Sequence, residues 1–133
     1  MNSAIQVLLV GGDEAMRERL SQMLSGEEGI IIVGAARSGE EALAEAKALS
    51  PDVILMLTDT GMSGMNGIEA TRAITEAQLP ARAIIITENP ARYLVPTIKA
   101  GAAGLLSKNI SRDELLSAIR KIHLWSLDSF PSR

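Results

Sequence analysis

The sequence predicts an α/β domain built on a doubly wound parallel sheet with helices over both faces. Short apolar runs alternate with helical patterns in a steady rhythm, the signature of repeated βα units. The apolar runs are near-continuous in Val, Ile and Leu, as strands buried on both faces require. Hydrophobic residues make up 47% of the chain and aromatics only 2%, so the core is aliphatic.

Length and charge narrow the function classes. A chain of 133 residues suits one domain, large enough to bury about 70% of its unfolded surface. A net charge of −3 gives no electrostatic footprint for nucleic-acid phosphates, and so few aromatics offer no platform for stacked bases. The absence of Cys excludes disulfides, thiolate catalysis and Cys-based zinc sites, and a single His excludes His-rich metal sites. No basic segment leads into a long apolar core, and no apolar run reaches the ~18 residues of a membrane span, so a cytoplasmic protein is expected.

In chain order the strands read as Gln6–Val10, Ile30–Ala35, Val53–Leu57, Ala83–Thr87 and Gly104–Ser107. The first helix, Glu14–Leu24, puts Met16, Leu20, Met23 and Leu24 on one stripe. Ser38 with Glu41, Asn66 with Glu69 and Ser111 with Glu114 have capping-box spacing, which starts helices at Gly39–Leu49, Gly67–Gln78 and Arg112–His123. In the last of these Leu115, Leu116, Ile119 and Ile122 form the apolar stripe. The fourth helix is irregular: Asn89-Pro90 makes a good start, yet Pro96 inside it forces a kink or a later beginning. Residues 1–124 read as the domain, and 125–133 as a linker or tail of the kind that marks where a second domain attaches.

In doubly wound sheets the site lies beyond the carboxyl ends of the strands. Those ends carry Gly11, Gly12 and Asp13 after the first, Thr58, Asp59 and Gly61 after the third, Thr87 at the fourth and Lys108 after the fifth. A carboxylate, a hydroxyl and an ammonium converging on one cleft could accept a phosphoryl group, with Thr and Lys holding its oxygens.

The segments Val7–Asp13 with Met16-Arg17-Glu18, Val33–Ala36 with Gly39–Leu43, Pro51–Met56, Met62–Gly67 and Ala100–Lys108 occur in order over roughly residues 5–123. Together they resemble the receiver domains of response regulators, and within that family the receivers of LuxR-type, NarL-like transcription factors. The resemblance implies a flavodoxin-like fold of five strands in order 2-1-3-4-5 flanked by five helices. It further implies a phosphoryl group taken from a histidine kinase onto an aspartate at the end of the third strand, with Mg²⁺ held by acidic residues after the first. Carried over, Asp59 matches the phospho-acceptor, Thr87 the switch hydroxyl and Lys108 the phosphate-pairing lysine.

The chain departs from that pattern in three respects. The acidic pair falls on Gly11 and Gly12, leaving a degenerate metal site in which Asp13 and Asp59 are the carboxylates on which Mg²⁺ would have to rest. Counted from Pro51 the acceptor falls on Leu57, whereas counted back from Gly64–Gly67 it falls on Asp59, so a bulge in the third strand is needed to bring Asp59 to Lys108 and Thr87. Leu105 stands where many receivers carry an aromatic switch residue, and Ser63 replaces the usual proline.

The expected function is that of a non-enzymatic receiver-like module of a two-component transcriptional regulator. Its phosphorylation is weak or absent, no cofactor is required, and its output runs through protein contact or dimerisation. Pro96 and Leu105 lie on the face, formed by the fourth helix, fifth strand and last helix, that the family uses for partners. The expected partners are a sensor histidine kinase and a second copy, with DNA reached only through an attached domain and no membrane involved. The alternative is a conventional phospho-receiver using Asp59 and Mg²⁺; a flavodoxin-like cofactor binder using Gly11-Gly12 is the third reading.

Overall fold

A computed structural model describes residues 4–58 and 66–128, the last four by backbone alone. The elements are β1 (Ile5–Val10), α1 (Glu14–Leu24), β2 (Ile30–Ala36), α2 (Gly39–Leu49), β3 (Val53–Leu57), α3 (Gly67–Glu76), β4 (Arg82–Thr87), α4 (Pro90–Ala100), β5 (Gly104–Ser107) and α5 (Arg112–Asp128). All strand pairs are parallel, in the order β2-β1-β3-β4-β5. This is the flavodoxin-like order implied by the resemblance.

Side-chain alternation along the strands divides the core into two layers. On one face Val7, Leu9, Leu55, Leu57, Ile84 and Ile86 pack against Met16, Leu20 and Leu24 of α1 and Leu115, Leu116 and Ile119 of α5. On the other, Leu8, Val10, Ile54, Met56 and Ile85 pack against Ala42 and Ala46 of α2 and Ala70 and Ile74 of α3. Each fully buried Leu or Ile is worth about 1.5–3 kcal/mol over leaving it exposed. The small alanines let α2 lie close to the sheet.

The caps form as their spacing predicts. Ser38 accepts from Glu41 N–H at 3.1 Å, Asn66 and Glu69 make a reciprocal box, and so do Ser111 and Glu114. The Ser111 backbone N–H and hydroxyl hold the Glu114 carboxyl below its usual range. In the first pair the Glu41 carboxylate reaches Arg37 N–H instead of its cap residue.

The ends of α3 and α5 differ from the sequence reading, and β1, β2 and β4 are each one residue longer, at Ile5, Ala36 and Arg82. α3 stops at Glu76 because the chain turns at Gln78, which adopts φ 60. α4 begins at Pro90, the earlier of the two starts that the sequence allowed, with Pro96 inside it; it is anchored by buried Thr97 and Ala100 and closed by Gly101 in the left-handed region. α5 continues through Asp128, past the helix end expected at His123, since no helix breaker occurs before Pro131.

Candidate functional site

β1 delivers Gly11 to the carboxyl edge of the sheet. Its N–H donates to Ala36 O at 3.0 Å, so the ladder with β2 runs one residue past the strand, and its carbonyl accepts from Arg17 Nη1 of α1. Gly11 is buried, and a Cβ built on it would lie 2.6 Å from Leu57 Cδ1 and 2.8 Å from Leu57 Cβ. The space into which a side chain at position 11 would extend is therefore filled by leucine. Asp13 N-caps α1, its Oδ1 accepting from Met16 N–H at 3.3 Å.

β3 runs in unbroken register with both neighbours, Val10 lying across from Met56 and Ile86 across from Leu57. The one register shift among the described residues of the sheet falls elsewhere, on the β1–β2 ladder between Val7 and Leu8. β3 thus reaches Leu57 without the bulge that would carry two extra residues. Leu57 is 4% exposed and points into the α1–α5 layer. Thr58 follows, its N–H donating to Ile86 O at 3.2 Å. Its buried hydroxyl oxygen has no hydrogen-bond partner among the described residues. Asp59, like Gly61, Ser63 and Gly64, lies outside the described residues.

The last two strands bring Thr87 and Lys108 together. Thr87 pairs with Ser107, and Lys108 N–H donates to Thr87 O at 3.0 Å. Thr87 is fully buried, and its hydroxyl accepts from Asn89 N–H at 3.1 Å, turning the chain into α4. The Lys108 side chain is 14% exposed, with Nζ 3.8 Å from Glu88 Oε2. Arg19 Nη1 reaches Lys108 O at 3.4 Å. Arg17, Arg19 and Glu88 were not singled out from sequence. The signal for the two arginines is their place in the first turns of the helix that follows β1.

Among the described residues, the end of β1 offers few of the oxygen ligands that Mg²⁺ takes. A small hard cation needs near-octahedral oxygen ligands and rests on carboxylates. Gly11 and Gly12 supply none, the Asp13 carboxylate is engaged at its helix N-terminus, and Arg17 brings a guanidinium to the Gly11 carbonyl. Among the described residues no cluster of three or more His, Cys, Asp or Glu could hold a metal.

On the expected partner face, Pro96 is half-buried and Leu105 packs against the α2–α3 layer of the core. The exposed apolar side chains lie beside them on α4: Leu94 at 48%, Val95 at 56% and Ile98 at 65%. At the opposite end of the sheet, Asp52, Thr75, Gln78, Arg82 and His123 line a cavity of about 580 Å³, remote from the strand-end residues above. No helix among the described residues is long and apolar enough to cross a membrane.

Known proteins share this fold. The family model for the response regulator receiver domain matches residues 7–120. Response regulator UvrY of Escherichia coli K12 is 39% identical over 122 residues, covering 90% of this chain and 54% of that protein. Response regulator GacA of Pseudomonas aeruginosa is 36% identical over 121 residues, covering 89% and 55%. The chain therefore spans about half the length of these curated relatives. Among solved structures, a signal receiver domain assigned to NarL of Mycobacterium tuberculosis superposes with a TM-score of 0.86 at 28% identity, covering 92% of this chain and 98% of that one. A LuxR-family two-component response regulator from Aurantimonas sp. SI85-9A1 gives 0.83 at 28% identity, covering 92% and 86%. With its five parallel strands in receiver order and the family model spanning most of its length, this chain belongs to the response regulator receiver domain family.

Proposed function

We propose that this receiver domain serves a two-component transcriptional regulator of the LuxR type and passes its signal through protein contact or self-association, with weak or no Mg²⁺-dependent phosphorylation. The observation that supports this most directly is the end of β1, where glycines stand at both acidic stations and the next carboxylate, Asp13, caps α1. Capture of a phosphoryl group by a carboxylate brings anions together and needs a neutralising cation held in place. A site without carboxylates at those stations has little hold on one. A sensor kinase, a second copy and an attached DNA-binding domain are the partners expected of a cytoplasmic regulator of this type, and DNA is contacted only through that further domain.

A conventional phospho-receiver acting through Asp59 is the second reading. It is favoured by Thr87 and Lys108, which the β4–β5 ladder keeps side by side at the carboxyl edge. Incubation with acetyl phosphate and MgCl₂ followed by intact mass measurement separates the two. No mass increase is expected; an increase that disappears in Asp59→Asn would establish the second reading instead.

A further inference from the structure

We propose that Leu57, at the last position of β3, stands at the station where the family carries its phospho-acceptor, and that Leu57 and Gly11 form one size-matched replacement of an anionic pair. This deepens the reading above and rests on it for the meaning of the station. The two counts of the third strand disagree, and the unbroken register of β3 with β1 and β4 favours the count from its start. By that register Gly11, one residue beyond Val10, comes across from Leu57, one residue beyond Met56. Three leucine atoms, Cδ1, Cβ and Cγ, lie 2.6, 2.8 and 3.2 Å from where a Cβ on Gly11 would be.

Contacts under 3.0 Å to a packed side chain force something to move, and here the neighbour is a core leucine rather than a flexible surface chain. Leucine therefore occupies space that position 11 would need, and the missing side chain at Gly11 leaves room for leucine. The pocket has exchanged paired charge for apolar contact continuous with the α1–α5 layer, which Leu9 and Met16 share. A cation site would return only when both strand ends regain an oxygen donor. Thr58, the residue beyond Leu57, then lies past the station.

Calorimetric titration with MnCl₂ tests this on the wild type, Gly12→Asp and Gly12→Asp/Leu57→Asp, each checked for folding by circular dichroism. The double variant should bind Mn²⁺ at least tenfold more tightly than Gly12→Asp, and the wild type should show no saturable binding. Equal binding by Gly12→Asp alone would overturn the proposal, because the second carboxylate would then come from elsewhere. So would a folded double variant that fails to bind. Should the double variant not fold, a thermal-unfolding cycle on Gly11→Ala and Leu57→Ala decides. Gly11→Ala should lower Tm clearly more in the wild-type background, where Leu57 is present, than in the Leu57→Ala background, and equal losses would overturn the pairing. Neither measurement depends on acetyl phosphate, so phosphorylation of the wild type would defeat the functional reading through a separate observation.

Discussion

Glu27, in the turn between α1 and β2, accepts a hydrogen bond from Arg120 of α5, and its other carboxylate oxygen accepts from Arg112 at 2.8 Å. Arg112 Nε also donates to Met23 O, and Arg120 Nη2 to Glu28 O. One carboxylate thus joins the final helix to the end of the first. Arg120 foremost, then Arg112, holds the Glu27 carboxyl below its usual range. A depressed folded-state pKa stabilises the fold above the unfolded value and loses that contribution as pH falls through the folded one. The wild type should lose stability below about pH 4.3, the ordinary glutamate value. Glu27→Gln should flatten that part of a urea-unfolding series against pH. Glu114, shifted in the same direction by Ser111, should preserve some of the acid slope.

Gly101 closes α4 at φ +87, and a Cβ there would fall 2.7 Å from Thr75 Oγ1. That hydroxyl shares its one proton between Ala100 O at 2.8 Å and Thr71 O at 2.9 Å, tying α3 to the end of α4. Gly29 has the same φ of +87 with nothing within 4 Å. Gly29→Ala should cost only the backbone penalty of about 1–2 kcal/mol. Gly101→Ala should cost more, because Thr75 must move as well. Thermal unfolding of the two variants reads the difference, at roughly 3–5 °C per kcal/mol for a domain of this size.

The scaffold was legible in sequence because its signals are local. Continuous Val/Ile/Leu runs marked the strands, and the pairs Asn66–Glu69 and Ser111–Glu114 marked helix starts to the residue. The α1 and α5 stripes followed from period alone. The candidate site was legible only as a set of strand ends. Its composition depends on the register of β3, a non-local quantity that two counts along the chain gave differently. The contact between Gly11 and Leu57 joins residues 46 positions apart, and no sequence pattern marks it. The N-cap role of Asp13 was within reach, since Asp before a helix is a common cap, but its position beside the acidic stations drew the metal reading.

Three of the five large apolar side chains that are exposed among the described residues, Leu94, Val95 and Ile98, sit within two turns of α4. An apolar face turned to solvent is where the proposed self-association has surface to bury. Ile98→Glu should leave stability within about 0.5 kcal/mol of the wild type, as changes at exposed positions do. Sedimentation velocity across a concentration series should show association in the wild type and a shift toward monomer in Ile98→Glu. Unchanged association would place the contact elsewhere on the domain.

Pro96 sits in the seventh position of an eleven-residue helix and has no N–H for the carbonyl of Arg92, one turn earlier. An interior proline costs an isolated helix ~3 kcal/mol, and α4 has little to offset it. Its N-cap Asn89 makes no side-chain cap bond, the Thr97 hydroxyl oxygen is buried without a partner among the described residues, and its large aliphatic residues face outward. These features make α4 the helix most ready to open locally. Pro96→Ala restores a backbone donor, while the unfolded chain regains entropy worth about 0.4–1 kcal/mol against the fold. The net effect should stabilise the domain by about 1–2 kcal/mol. Hydrogen exchange should show the gain concentrated in the amides of α4, whereas uniform protection across the sheet would mean that α4 opens only with the whole domain.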